Sequence, residues 1–427
     1  MVRRLVLVLA LSQGAAANGV LRWGFGARDT GAAGAFGGTN GDAISALHVN
    51  PALLSTLEGN QWIISARALN GNATFERGGI TSRMSDGQGA YPDLAASWRP
   101  KDSSWTFGLG LSPISALVAD WNYADAPGGL GGISYGSPGH DSRFTATRLA
   151  LALSWQVTDE LSLGMSAGAI FSEIDFNAPF IFQTNPALAG AKVDLDMNTE
   201  GWAPSFEFGA HFQPRPEWSF GARLKLPVAL DNRGDSEVDF SAQLPTLSQA
   251  RYRARAQTEL PLTIGLGAEW KATPRLRFGL WADWHRWSAS YDTFRVNLAN
   301  GSDPGVNAAI GPDPSDRIPL DWNDRFVFAF GSSYSLNDDW TLRAGYRYGK
   351  SPIPNQLVTP LNGAILEQAV TLGLTWRRND WQLDLAYAHE FTDTSRVGLS
   401  GYRAGEYSNS SLRPSLDILS ISIARQF

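Results

Sequence analysis

The chain has 427 residues, 18% of them charged, with 44 Gly, 16 Trp, no Cys and a formal net charge of -6. Soluble domains average about 25% charged residues, so this chain is charge-poor, while its 43% hydrophobic content excludes disorder. The missing thiols exclude a disulfide scaffold or a Cys-ligated metal site, and the mild acidic excess argues against a nucleic-acid partner.

Residues 1–17 read as a secretory signal peptide. Arg3 and Arg4 precede the apolar run Leu5 to Leu11, and Ala15-Ala16-Ala17 supplies a small-residue cleavage site. The apolar run is too short to span a bilayer, which takes about 20 residues. Cleavage is expected near Ala17-Asn18, in an exported, Gram-negative setting.

Residues 18–59 are rich in Gly and Ala and lack a two-residue period. Asp42 to Val49 is predicted as a short helix, stopped at Asn50 because Pro51 disfavours helical geometry in its predecessor. Phe25, Phe36, Ile44, Leu47 and Leu53 call for burial that so short a segment cannot give itself. A barrel lumen is one host that needs such a plug. A loose periplasmic tail is the other reading.

From residue 60 to 427 the chain alternates. Leu149, Leu151, Leu153 and Trp155 interleave with Arg148, Ala150, Ala152 and Ser154, and the rhythm recurs at Leu262 to Leu266 and at Val370 to Trp376. Successive strand side chains face opposite ways, so each segment has one greasy face and one small or polar face. A soluble sandwich would turn Lys and Glu to water; Gly, Ser, Thr and Ala suit a crowded interior better. Tight turns near 102, 159, 215, 273, 338 and 379 alternate with long connections, among them Asn177 to Glu200, Asp231 to Ala250 and Ala299 to Asp321. Transmembrane barrels are built this way. The predicted fold is therefore all-β, an antiparallel transmembrane barrel of about fourteen strands, running from 60–77 to 413–427. Trp105, Trp155, Trp218, Trp270, Trp340 and Trp381 beside the turns read as an interfacial girdle. Phe427 ends an alternating last strand, the insertion signal expected for the barrel-assembly machinery. A closed barrel needs no edge partner, so a monomer surrounded by outer-membrane lipid is expected.

Several residues are candidates for function. In the predicted third strand, Gly108, Gly110 and Pro113 mark a place where the wall could open, since Pro cannot donate to the ladder; an ordinary bulge reads equally well. Phe180, Ile181, Phe182 and Leu188, with Leu244 and Leu247 as a second wall, form an apolar loop cluster of the kind that marks binding, or else a loop packed to close the barrel mouth. Strand parity turns Arg148, Arg343 and Arg347 inward, as partners for a ligand carboxylate or for plug and wall acids. Gly132-Ile-Ser134-Tyr-Gly136 and Gly164-Met-Ser166-Ala-Gly168 match a nucleophile pattern but lack its strand-turn-helix corner. The five His show no metal-ligand spacing. No enzyme, cofactor or metal is expected.

The run Gly31-Ala-Ala-Gly-Ala-Phe36, then Asp42-Ala-Ile-Ser-Ala-Leu47 and Asn50-Pro51-Ala52, resembles the N-terminal hatch of the FadL/TodX outer-membrane transporters of hydrophobic compounds. Asp283-Trp-His-Arg-Trp287-Ser is similar to a recurrent stretch of that family, as are Trp322-Asn-Asp324 to Gly331, Trp340 to Tyr346 and Ser351-Pro352-Ile-Pro354. The resemblance implies a fourteen-stranded barrel plugged by its own N-terminus that passes fatty acids or hydrocarbons. It also implies an extracellular apolar groove, plug rearrangement and sideways exit at a kinked third strand. Asn50, Pro51 and Ala52 transfer as hatch residues. The alternative is a porin-like barrel without hydrophobic selectivity.

Overall fold

The computed structural model describes residues 19–427 except Ser248; the expected leader, residues 1–17, lies outside the described residues. Fourteen antiparallel strands close a barrel. They are β1 (Gln61–Arg77), β2 (Gln88–Trp98), β3 (Trp105–Trp121), β4 (His140–Gln156), β5 (Leu161–Ile181), β6 (Lys192–Arg215), β7 (Trp218–Lys225 with Val228–Asp239), β8 (Gln249–Leu260 with Thr263–Lys271), β9 (Leu276–His285 with Thr293–Ala299), β10 (Ser315–Pro319 with Arg325–Ser335), β11 (Trp340–Gly349), β12 (Gln368–Arg378), β13 (Trp381–Phe391) and β14 (Ser410–Gln426). Neighbours in sequence pair, and β14 closes on β1 from Gln61 opposite Gln426 to Arg77 opposite Ser410. No sheet edge is left along that seam to recruit another chain.

Alternation sets the two faces. Leu149 and Leu151 are exposed outward while Arg148, Ala150 and Ser154 are buried in the lumen. The outward apolar side chains that would be a liability in water are the lipid-facing belt of a membrane barrel. Tryptophans at the short turns gather on the outside: Trp105 stacks on Trp155 at 5.4 Å and Trp218 on Trp270 at 5.9 Å. They form one interfacial girdle.

The strands run taller than the alternation suggests. The predicted connection Asn177 to Glu200 shrinks to 182–191, because β5 continues to Ile181 and β6 begins at Lys192. Most of Asp231 to Ala250 is strand, and Ser315–Pro319 takes up the end of Ala299 to Asp321. Here the outward positions are Arg233 and Asp235 on β7 and Arg251, Arg253 and Arg255 on β8, all exposed. Above the lipid an outer face meets water, so the hydrogen-bonded ladder persists while the apolar signal vanishes.

Four successive strands break at similar height: β7 at 226–227, β8 at 261–262, β9 at 286–292 and β10 at 320–324. Pro227 and Pro261 have no N–H to give the ladder. In the β9 break the turn α3 (Trp287–Ser290) drives Trp287 and Tyr291 inward onto Trp322, with ring centroids 4.9 and 4.4 Å from the latter. The two sequence stretches around Trp287 and Trp322 thus meet inside the barrel. They enclose the start of the described chain: a Cβ on Gly19 would lie 2.9 Å from the Trp322 ring.

Residues 19–57 fill the lumen. Two short helices, α1 (Gly26–Thr30) and α2 (Ala43–His48), precede a 3₁₀ turn at Pro51–Thr56. Asp42 caps α2 by accepting from Ser45 N at 2.9 Å. Phe25, Phe36, Ile44, Leu47 and Leu53 are all buried.

Candidate functional site

The plug is held to the wall chiefly by polar side chains reaching its backbone. Arg148 Nη1 donates to Leu47 O at 3.1 Å and Lys225 Nζ to His48 O at 2.6 Å, so two wall cations satisfy carbonyls at the end of α2. Arg67 donates to Trp23 O and Gly24 O, Thr371 to Gly31 O and Ser154 to Ala52 O. Asn50 clamps both sides: its amide donates to Gly38 O in the plug and to Ala210 O in β6, and its oxygen accepts from Ala52 N. Close approach explains the small residues opposite. A Cβ on Gly209 would lie 2.0 Å from Asn50 Oδ1, and one on Gly164 2.3 Å from Ala52 N. These contacts are numerous, worth about 1 kcal/mol for a neutral hydrogen bond and about 1.5–3 kcal/mol for those from Arg148, Lys225 and Arg67.

β3 is irregular where it meets the plug. Its pairing with β2 ends at Leu94 opposite Leu111, and its register with β4 shifts between Pro113 and Ser115. The N-terminal segment occupies this place. Leu21 bridges Ser115, Arg22 N donates to Ile114 O, and Ser115 Oγ donates to Val20 O. Arg22 Nη1 and Nη2 donate to the Asp93 carboxylate of β2 at 2.5 and 2.8 Å, and Nη1 also to Pro113 O at 2.9 Å. The guanidinium lies 4.6 Å from the Phe25 ring centre and 4.8 Å from that of Tyr91. Arg22 therefore links plug, β2 and the bulge in β3.

Two cavities flank this segment. The outer one, about 200 Å³ in volume, lies under the extracellular loops and is lined mainly by apolar side chains, including Leu117, Phe144, Phe176, Phe180, Phe294 and Ile318. Val20 lines it too. The inner cavity, about 60 Å³, is lined by Leu21, Phe25 and Ile114 beside Arg148 and Lys225. Consecutive residues 20 and 21 thus face different cavities, which makes the N-terminal segment the partition between them. At the outer cavity's edge Glu406 lies 3.6 Å from the buried Lys192, whose Nζ also pairs with Asp125 at 2.5 Å. Burial pushes the Glu406 carboxyl up to about 7 against the opposing pull of Lys192.

Phe180 and Ile181 line the outer cavity. Phe182 and Leu188 are buried in the same hydrophobic cluster and Leu247 packs on its margin. Leu244 lies in the 240–248 connection and does not reach the cavity lining. Pro113 sits at the bulge, whereas Gly108 and Gly110 pair with Ser97 and Ala95 below it and receive Leu54 and Leu47 of the plug. None of Arg148, Arg343 and Arg347 lines the outer cavity. Arg148 is 3.4 Å from Glu207, Arg347 3.5 Å from Asp283, and Arg343 donates to Thr375 and lies 3.9 Å from Asp384. Ser166 accepts from Arg148, and Ser134 donates to Asp125 O in its loop. Sequence reasoning missed Arg22 and Asp93. Asp93 was visible as the lone carboxylate of an alternating strand, on its inward parity.

A family model described as outer membrane protein transport protein (OMPP1/FadL/TodX) matches residues 8–417. The chain belongs to the OMPP1/FadL/TodX family. Among relatives of this family, Outer membrane protein P1 of Haemophilus influenzae is 24% identical over 393 residues, covering 82% of this chain and 80% of its own. The long-chain fatty acid transport protein of Salmonella typhi is 18% identical over 334 residues, 72% of each chain. Among solved OMPP1/FadL/TodX structures, the P. putida toluene transporter TodX superposes with a TM-score of 0.79 at 18% identity, covering 95% of this chain and 99% of its own. A Pseudomonas aeruginosa FadL homologue gives 0.76 at 16% identity, with 96% and 100% covered. The chain is a plugged β-barrel of the Gram-negative outer membrane.

Proposed function

We propose that this protein is a passive outer-membrane channel for hydrophobic small molecules, favouring uncharged hydrocarbons over carboxylates. The observation that carries the reading is the outer cavity, whose wall is apolar and whose lining includes one cation, the exposed Arg143 at its rim. A fatty-acid carboxylate would meet Glu406 there, and the buried Lys192 behind it is already paired with Asp125 and Glu406. Burying each CH₂ of a solute gains about 0.8 kcal/mol, which supports an apolar stopping point before the membrane.

From that cavity the ligand passes the partition made by Val20 to Arg22, reaches the inner cavity and leaves sideways into the bilayer beside Pro113. The ending of the β2–β3 pairing at Leu94 and Leu111 supports this route, because above it the two strands are joined through Arg22 rather than by a ladder. Plug rearrangement is then the undocking of residues 19–24. A porin-like reading needs a clear bore, and residues 19–57 occupy it. We take the channel to act as a monomer in lipid after insertion by the barrel-assembly machinery. The test is uptake by a deletion strain with and without the gene. Toluene uptake should fall on deletion and return on complementation, with oleate less affected; unchanged uptake of both would overturn the proposal.

A further inference from the structure

The charged collar above the lipid belt contains one arrangement repeated twice, once complete and once not. On β7 and β8, Arg233 stands directly opposite Arg255. Like charges directly opposite across strands repel at Cβ separations of about 5 Å. Here the repulsion is relieved by a carboxylate: Asp231 accepts from Arg255 Nε at 2.5 Å and Nη2 at 2.8 Å, and from Arg233 Nη2 at 3.2 Å. The next pair of strands repeats the arginines. On β9 and β10, Arg295 stands directly opposite Arg317. Both are exposed, and both point outward, since Val296 and Asp316 beside them are buried. Neither guanidinium has a carboxylate partner among the described residues.

We infer that Arg295 and Arg317 form a binding site for the phosphate of an outer-leaflet lipid headgroup. Two guanidiniums side by side recognise a phosphate through charge-assisted hydrogen bonds, which supplies the anion that Asp231 provides next door. The height is right for a headgroup. On β10, Arg317 lies just beyond the 320–324 break from Phe326, Phe328 and Phe330, which are exposed on the lipid-facing belt. Gln257 of β8 faces Arg295, and Arg255 and Arg253 continue the cationic strip upward from it. The site is thus continuous with the surface already covered by lipid tails, so a phosphorylated lipid can fill both at once. A soluble phosphate would gain only the polar half.

The experiment titrates the full chain in dodecyl maltoside with bis-phosphorylated lipid A and reads bound lipid by native mass spectrometry. The wild type should bind, and Arg295→Gln/Arg317→Gln should bind about tenfold more weakly, the loss of charge-assisted hydrogen bonds. Arg295→Glu supplies the missing carboxylate from the protein itself. It should keep the folded barrel, seen as heat-modifiable migration on a gel, and should also lose lipid A. Dephosphorylated lipid A should bind the wild type as weakly as the double variant binds the phosphorylated form. Equal lipid A binding by wild type and variants, equal binding of the dephosphorylated lipid, or full displacement by inorganic phosphate at matched concentration would each overturn the assignment.

Discussion

Replacing Asp93 by Asn leaves the Arg22 guanidinium buried without its counter-ion. Both side chains are nearly inaccessible, at 5% and 0% relative exposure. Removing one member of such a pair costs about 3–5 kcal/mol, because the remaining charge keeps its burial and loses its partner. Pro113 O and Gly24 O still accept from Arg22 in the variant, so the low end of that range is expected. About 3 kcal/mol corresponds to a shift of about a hundredfold in the equilibrium between docked and undocked N-terminus. Hydrogen exchange measured peptide by peptide should show residues 19–24 losing protection by a comparable factor, while β11 to β14 stay protected. Toluene uptake should rise if undocking limits transport. Arg22→Met/Asp93→Leu replaces the pair by apolar volume and should restore protection, since well-packed apolar substitutes for a buried pair are often neutral or stabilising. Unchanged protection in Asp93→Asn, or loss spread evenly over the barrel, would mean that the Arg22–Asp93 pair does not hold the N-terminus.

Three further outcomes are expected. Gly209→Val puts a branched side chain where Asn50 Oδ1 stands 2.0 Å from the Cβ site; this overpacking costs about 1–3 kcal/mol, and limited proteolysis should cut residues 19–57 while the barrel remains heat-modifiable. Phe180→Ala and Ile318→Ala each remove part of the outer cavity wall, and toluene affinity measured calorimetrically should fall several-fold for each, with no change in the melting of the barrel. Glu406 is raised by burial from 4.5 to about 7, so between those values the folded chain holds a proton that the unfolded chain has released. Stability therefore falls as pH rises through that window, and it is lowest once Glu406 is ionised above about 7. Glu406→Gln should flatten this slope in melts from about pH 5 to pH 8, and toluene should bind the wild type more tightly at the acid end.

The barrel was legible because alternation is a physical necessity of a two-faced wall: Leu149 and Leu151 face lipid, Ala150 and Ser154 face the plug, and only period two meets both. The plug was legible because Ile44, Leu47 and Leu53 sit in a segment too short to bury them. The upper wall was not. Around Arg233, Asp235, Arg251 and Arg253 both strand faces leave the hydrocarbon, and a solvated strand has the composition of a loop. The role of Arg22 was hidden for another reason. Its partner Asp93 is 71 residues away, and no local pattern couples two residues whose meeting depends on barrel closure. Parity does predict that Arg148, Arg343 and Arg347 point inward; it does not say that Glu207, Asp384 and Asp283 are already there.

If oily solutes pass only when the N-terminal segment leaves the bulge in β3, locking that segment in place should stop them. The chain has no Cys, so Leu21→Cys/Ser115→Cys introduces a single possible disulfide, at residues that already form an antiparallel bridge. Opposed residues of that kind have Cα separations of about 4.5–5.5 Å, within disulfide range. Toluene uptake by a deletion strain carrying this variant should stop on oxidation and return on reduction. Equal uptake in the oxidised and reduced states, with the crosslink verified by mass spectrometry, would mean that the N-terminal segment need not leave the bulge for solutes to pass.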